Sequence, residues 1–151
     1  MIQRVQSIYL LIVSLFYFLY WFFGFEYYEK GFFILNKALG NLSKPIFSLT
    51  SIFPILIFVI CLATIFLFKK RKIQIYLCRF SLLISILVCF YTIIYFSFSL
   101  NYLLKSLPSI IMQLLLYAAI LNPFICSFLI YLSIESIIND EKLVRGDGMI
   151  R

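Results

Sequence analysis

The sequence predicts an all-α polytopic membrane protein, a bundle of four transmembrane helices with both termini in the cytoplasm. Three observations carry this. Hydrophobic residues make up 64% of the 151 residues and charged residues only 13%, against about half and about a quarter in an ordinary soluble domain. Four runs carry no charge: Val5 to Phe25, Ile46 to Phe68, Phe80 to Leu104 and Ser106 to Ile134. Each exceeds the roughly 20 helical residues that cross about 30 Å of hydrocarbon. The basic residues, finally, are unevenly shared between the connections.

The first helix is expected over about 5–25. Arg4 before an apolar run resembles the start of a signal peptide. The run is too long for one, however, and bulky Trp21-Phe22-Phe23 stands where a small-residue cleavage site would be needed, so an uncleaved signal anchor is expected. The second helix, about 46–68, contains Pro54, and the fourth, about 107–137, contains Asn122-Pro123. Proline removes a backbone donor and crowds the preceding turn, so both helices are expected to kink. Asn122 and Pro123 then form a candidate polar kink. It is either a hinge or polar site in the bilayer, or a packed bend whose freed carbonyl is met by a neighbour. The third helix, about 75–104, shows a face of Ser81, Ser85, Cys89, Thr92 and Ser99. Small side chains let helix backbones approach in lipid, so this face and the series Ala118, Asn122, Cys126 are expected inside the bundle. All four runs are apolar on every face, which excludes the alternating strands of a membrane barrel.

The connections set orientation. One side carries Arg4, Lys69, Lys70, Arg71, Lys72, Arg79, Lys142, Arg145 and Arg151, and the other Lys30, Lys37, Lys44 and Lys105. That bias assigns the first side to the cytoplasm, giving an inner-membrane protein with a charged tail over 138–151. The loop 26–44 is rich in Tyr and Phe. It is expected to lie at the interface as two extended pieces about Gly31, or as a short amphipathic helix over Phe33 to Leu42. Arg79 and Glu135 fall at similar depth on helices expected to be antiparallel neighbours. They either form an interhelical ion pair or reach separately to the headgroups.

Much chemistry is excluded. The chain has no histidine and only five glycines, so it holds no Ser-His or Cys-His dyad, no histidine-held metal or haem, and no glycine-rich phosphate loop. Glu26, Glu29, Glu135, Asp140, Glu141 and Asp147 are its carboxylates, none at mid-bilayer, where proton-coupled transport generally needs one. Cys61, Cys78, Cys89 and Cys126 form no paired motif and read as small apolar residues, with acylation of Cys78 as the alternative. No cofactor is expected.

Three segments are distinctive: Met1-Ile2-Gln3-Arg4-Val5-Gln6-Ser7-Ile8-Tyr9-Leu10, Arg71-Lys72-Ile73-Gln74-Ile75-Tyr76-Leu77-Cys78-Arg79, and Asp140-Glu141-Lys142-Leu143-Val144-Arg145. With them the whole chain resembles an uncharacterised family of small four-helix inner-membrane proteins from Bacteroidetes-type bacteria. The Gly146-Asp147-Gly148 tail departs from that pattern. The resemblance implies location and architecture and supplies no reaction.

The expected function is non-enzymatic: an accessory subunit of a larger membrane assembly, contacting partners through its basic cytoplasmic face. Lys69, Lys70, Arg71 and Lys72 are the candidate contacts, either to anionic headgroups, at about 1 kcal/mol per basic residue, or to a partner, with the ribosome or translocon as one possibility and DNA excluded. The alternative is a small transporter or lipid-binding protein using the kinked fourth helix. An enzyme would need catalytic groups from a partner.

Overall fold

The computed structural model describes residues 3–24, 26, 27, 29, 32, 36, 37, 43–67, 70–107 and 109–147; for 3, 4, 43–47, 49–51 and 143–147 it describes the backbone alone. Among the described residues four long helices run up, down, up and down: α1 Gln3–Leu19, continued by a π-helical turn Tyr20–Gly24, then α2 Ser43–Phe66, α3 Arg71–Ser106 and α4 Ile110–Asp147. The helices close a ring in which α1 packs on α2, α2 on α3, α3 on α4 and α4 on α1. One end of the bundle therefore carries both termini and the α2–α3 turn, and is called here the terminal end.

Among the described residues three helices are long and apolar enough to cross a membrane, over Val5–Gly24, Arg71–Ser106 and Ile110–Lys142; the apolar described part of α2 is the shorter Ile52–Phe66. The 36 residues of α3 and 38 of α4 correspond to about 54 and 57 Å, well beyond the hydrocarbon thickness of about 30 Å. Helix α3 thus begins at Arg71 rather than near 75. Helix α4 runs to Asp147, where a tail was expected from 138. Charge ends an apolar run without ending a helix, because Lys, Arg and Glu are good helix formers.

Large apolar side chains cover the outside of the bundle, among them Leu11, Phe22, Leu83, Phe90, Leu114 and Phe128. The axis is filled by Leu10, Val13, Tyr17, Ile57, Val88 and Ile130. Ser81, Ser85, Thr92 and Ser99 are fully buried as expected, with Cys89 half-buried. Ser81, Thr92 and Ser99 turn their hydroxyls back to the carbonyls of Cys78, Val88 and Tyr95, at 2.8, 2.7 and 2.9 Å. Their hydroxyls thus find acceptors within their own helix, and their small size lets neighbouring helices approach. On α4 the expected series is only partly internal. Cys126 is buried and Asn122 half-buried, but Ala118 is exposed. Leu116, Ala119, Pro123, Cys126, Ile130, Ile137 and Asp140 form the inward face.

Pro54 and Pro123 lie inside continuous helices. The α3–α4 turn is closed by the Leu107 N–H to the Leu103 carbonyl at 3.1 Å, and α4 is capped where Ser109 Oγ accepts the Ile111 N–H at 3.2 Å. Tyr27 is buried at the same end. Its hydroxyl donates to the Met112 carbonyl at 3.2 Å, and its carbonyl accepts from the Tyr95 hydroxyl at 3.2 Å. The expected turn at Gly31 and the segment 33–42 lie, apart from Asn36 and Lys37, outside the described residues.

Candidate functional site: the α1–α4 seam

Midway along the bundle, a chain of hydroxyls joins three helices. Tyr17 Oη of α1 lies 2.5 Å from Ser85 Oγ of α3, and Ser85 Oγ lies 2.7 Å from Ser127 Oγ of α4. Ser127 Oγ donates to the Pro123 carbonyl at 2.7 Å. That last bond fixes the order of protons. Ser127 has spent its hydrogen on Pro123, so Ser85 must donate to Ser127, and Tyr17 to Ser85. The half-buried Cys89 thiol approaches the same Ser127 oxygen at 3.4 Å.

Asn122 adjoins this knot. Its Nδ2 donates to the Phe16 carbonyl of α1 at 2.9 Å, and its Oδ1 accepts the Cys126 thiol at 3.2 Å. Pro123 is buried on the bundle side. The polar pair therefore ties α4 to α1. Its amide meets a carbonyl of the neighbouring helix.

Away from the terminal end, a cavity of about 530 Å³ opens on the α1–α4 seam. Phe16, Tyr20 and Gly24 line one wall and Ala118, Asn122 and Ile125 the other. The sequence explains the space. Ala118 and Ala119 leave α4 thin. Gly24 lets the Tyr20 ring lie against the backbone, where a Cβ would stand 3.0 Å from Tyr20 Cδ2. The surroundings are almost wholly hydrocarbon, with the Asn122 amide as the polar group beside them.

At the terminal end the four helices are tied by polar side chains. Asp140 of α4 is only 5% exposed. Its Oδ2 accepts the Gln6 amide of α1, and its backbone carbonyl accepts Arg71 Nη1 of α3 at 3.1 Å. Gln74, also buried, donates from Nε2 to the Thr64 carbonyl of α2 at 3.3 Å. Asp140 Oδ1 has no hydrogen-bond partner. Beside it lies a second cleft of about 290 Å³ between α1 and α4, whose walls include Val5, Leu132, Glu135, Ser136, Asn139 and Asp140.

The expected site residues divide. Lys70 and Lys72 are exposed at this end, Arg71 is half-buried and turned inward to Asp140, and Lys69 lies outside the described residues. Of the two arrangements expected for Arg79 and Glu135, the ion pair is not formed: both are exposed, and no hydrogen bond or ion pair joins them. Equal depth is met without a shared face. Buried Cys78 and Ser81 mark the side of α3 that faces the bundle, and Arg79 follows on another side, next to exposed Phe80. Cys78 is fully buried, so the structure gives no access for its acylation. Sequence reasoning missed Gln6, Tyr17, Ser127 and Asp140 as partners. Gln6 and Asp140, with Arg71 and Gln74, do lie in the three distinctive segments. That the segments share one end was the available signal.

Among the described residues no group of three or more His, Cys, Asp or Glu side chains is placed to hold a metal ion. A ring of four long helices, apolar outside and tied inside by hydroxyl and amide contacts, defines a small all-α membrane protein. The chain belongs to the family described as domain of unknown function DUF4293, whose model matches residues 2–146. No curated protein and no solved structure matches it.

Proposed function

We propose that the protein is a non-enzymatic integral membrane protein that holds an apolar ligand, a lipid chain, in the seam between α1 and α4. The observation that carries this is the 530 Å³ cavity beside Asn122. Its size falls within the range of about 300–1,000 Å³ of small-molecule sites, and it combines apolar walls with few polar groups as such sites do. It opens on the flank of the bundle rather than along an axis packed with side chains, which favours a ligand entering from the bilayer over a solute crossing it. In this reading the terminal end faces the cytoplasm of a bacterial inner membrane, because nine of the thirteen basic residues belong to that side.

The test is photolabelling of the detergent-purified chain with a diazirine-bearing fatty acid, followed by peptide mapping. Labels are expected on 16–24 and 115–125, and Ala118→Trp, which fills the cavity, should abolish them. Labelling spread evenly over the exposed faces, or unchanged by Ala118→Trp, refutes the reading.

A second reading, an accessory subunit of a larger membrane assembly, is favoured by the exposed Lys70 and Lys72 at the terminal end. It predicts a stoichiometric partner on mild-detergent purification, lost when both lysines are changed to glutamine.

A further inference from the structure

The apolar cavity on the α1–α4 seam has its polar group at a particular depth. Asn122 donates to the Phe16 carbonyl, and Phe16 lies eleven residues beyond Val5, where the apolar span of α1 begins. That stretch of helix measures about 16 Å, half of the roughly 30 Å of hydrocarbon. The amide therefore sits near the bilayer midplane. From it the cavity extends away from the terminal end, along Tyr20 and Phe23 of α1 and Ala118 of α4. Charge at this depth is costly, and none of the described residues lining the cavity is charged to offset it. A phospholipid headgroup thus stays at the membrane surface, and what reaches Asn122 is either hydrocarbon or an uncharged polar group.

The amide has capacity to spare. Its Nδ2 carries two hydrogens, of which one goes to Phe16, and its Oδ1 accepts the Cys126 thiol. The second N–H has no partner among the described residues. Away from water a polar hydrogen left unmet is costly, so hydrocarbon alone is the poorer occupant. The walls indicate what carries the acceptor. The rings of Phe16, Tyr20, Phe23 and Tyr27 line the α1 side, and opposite them Ala118 leaves α4 thin. Tyr20 and Phe23 stand on the π-helical turn Tyr20–Gly24, a widening of the helix frequently found at functional sites. Aromatic side chains favour a further ring in offset or edge-on contact, beyond the area it buries. A flat ring bearing a carbonyl meets both conditions. A diacylglycerol offers the carbonyl without the ring, and an isoprenoid hydrocarbon offers neither.

We infer that the cavity binds an isoprenoid quinone, its ring among the aromatic side chains of α1, one ring carbonyl accepting from Asn122 Nδ2, and its tail leaving through the open flank into the bilayer. This rests on the lipid-binding reading above and names the lipid. The first measurement is competition against the diazirine fatty acid on the full chain in detergent. The competitors are a quinone with two isoprene units, a short-chain diacylglycerol and the isoprenoid hydrocarbon of the same tail. The quinone is expected to displace the label at about tenfold lower concentration than either of the others, equivalent to about 1.4 kcal/mol. Asn122→Leu should keep the label and cut that advantage about fivefold, as the loss of one neutral hydrogen bond does. The second measurement needs no variant. Infrared difference spectra of wild type with quinone carrying carbon-13 at its ring carbonyls should show one carbonyl band below its position in detergent alone. Should Asn122→Leu lose the label along with its fold, this band decides. Equal displacement by the three competitors, an advantage undiminished in a labelled Asn122→Leu, or an unshifted band overturns the quinone assignment, and a lead for diacylglycerol overturns it in favour of an ester lipid. Fatty-acid labelling that persists alongside any of these leaves the lipid-chain reading standing. A shifted band in a wild type that takes no fatty-acid label keeps the quinone site and removes the acyl-chain reading instead.

Discussion

The hydroxyl chain across the bundle makes a prediction whose sign depends on direction. Tyr17 is a fully buried side chain at the head of the chain and Ser85 is its middle member. Tyr17→Phe removes one donor and leaves Ser85 still donating to Ser127. Interhelical hydrogen bonds in membrane proteins average about 0.6 kcal/mol, with a maximum near 1.7, so this change should cost about 0.6 kcal/mol. Ser85→Ala removes two such bonds and leaves the Tyr17 hydroxyl buried without an acceptor, which adds about 1–3 kcal/mol. The total is about 2–4 kcal/mol. In the Ser85→Ala background, Tyr17→Phe then deletes the orphaned donor and should restore about 1–3 kcal/mol. The same substitution therefore destabilises the wild type and stabilises the variant. Unfolding free energies of the four proteins in bicelles, by steric trapping, measure this cycle. If Tyr17→Phe lowers stability equally in both backgrounds, Tyr17 does not donate to Ser85 and the proton order is wrong.

Arg79→Leu and Glu135→Leu should have additive effects on thermal stability, within about 0.5 kcal/mol, because both side chains are exposed and unjoined; a coupling well above that would restore the ion pair. Gly24→Ala brings a Cβ to 3.0 Å from the Tyr20 ring, so it should cost about 1 kcal/mol and weaken fatty-acid labelling of the cavity; a variant unchanged in both measures would show that the close approach is immaterial. For orientation, single cysteines at Asn36 and Asp147, with the four native cysteines replaced, should label from outside and inside respectively; outside labelling of position 147 in intact cells would reverse the proposed topology.

The helices were legible because lipid imposes a strong rule: a spanning segment must be long, apolar and internally hydrogen-bonded. Their ends were less legible. Arg71-Lys72 begins α3 and Asp140-Glu141-Lys142 continues α4, since charge marks the membrane boundary and not the end of the helical ladder. The small-residue face of α3 was readable from spacing alone, as burial of Ser81, Ser85, Thr92 and Ser99 shows. The face of α4 was legible only in part. Cys126 lies on the inward face, whereas Asn122 is half-buried and Ala118 exposed at the seam, with buried Ala119 and Pro123 one position, about 100°, further round the helix. In an all-apolar helix no hydrophobic contrast reports that step, so only the packing of α1 against α4 resolves it.

The terminal-end cluster follows from topology joined to rotation. In an up-and-down bundle of four, the starts of the odd helices and the finishes of the even ones must meet at one end. Gln6 at the start of α1, Thr64 near the finish of α2, Arg71 and Gln74 at the start of α3, and Asp140 toward the finish of α4 therefore share a level, however far apart they lie in the chain. Level alone also brings Arg79 and Glu135 near one another, and they do not pair. What separates the cases is rotation about each helix axis: Gln6, Gln74 and Asp140 are buried, whereas Arg79 and Glu135 are exposed. The Arg71 guanidinium completes the argument. By taking the backbone carbonyl of Asp140 and not its carboxylate, it fixes α3 to α4 while leaving the carboxylate to Gln6 of α1. One residue thus joins α4 to two helices through separate groups, its carbonyl to α3 and its carboxylate to α1.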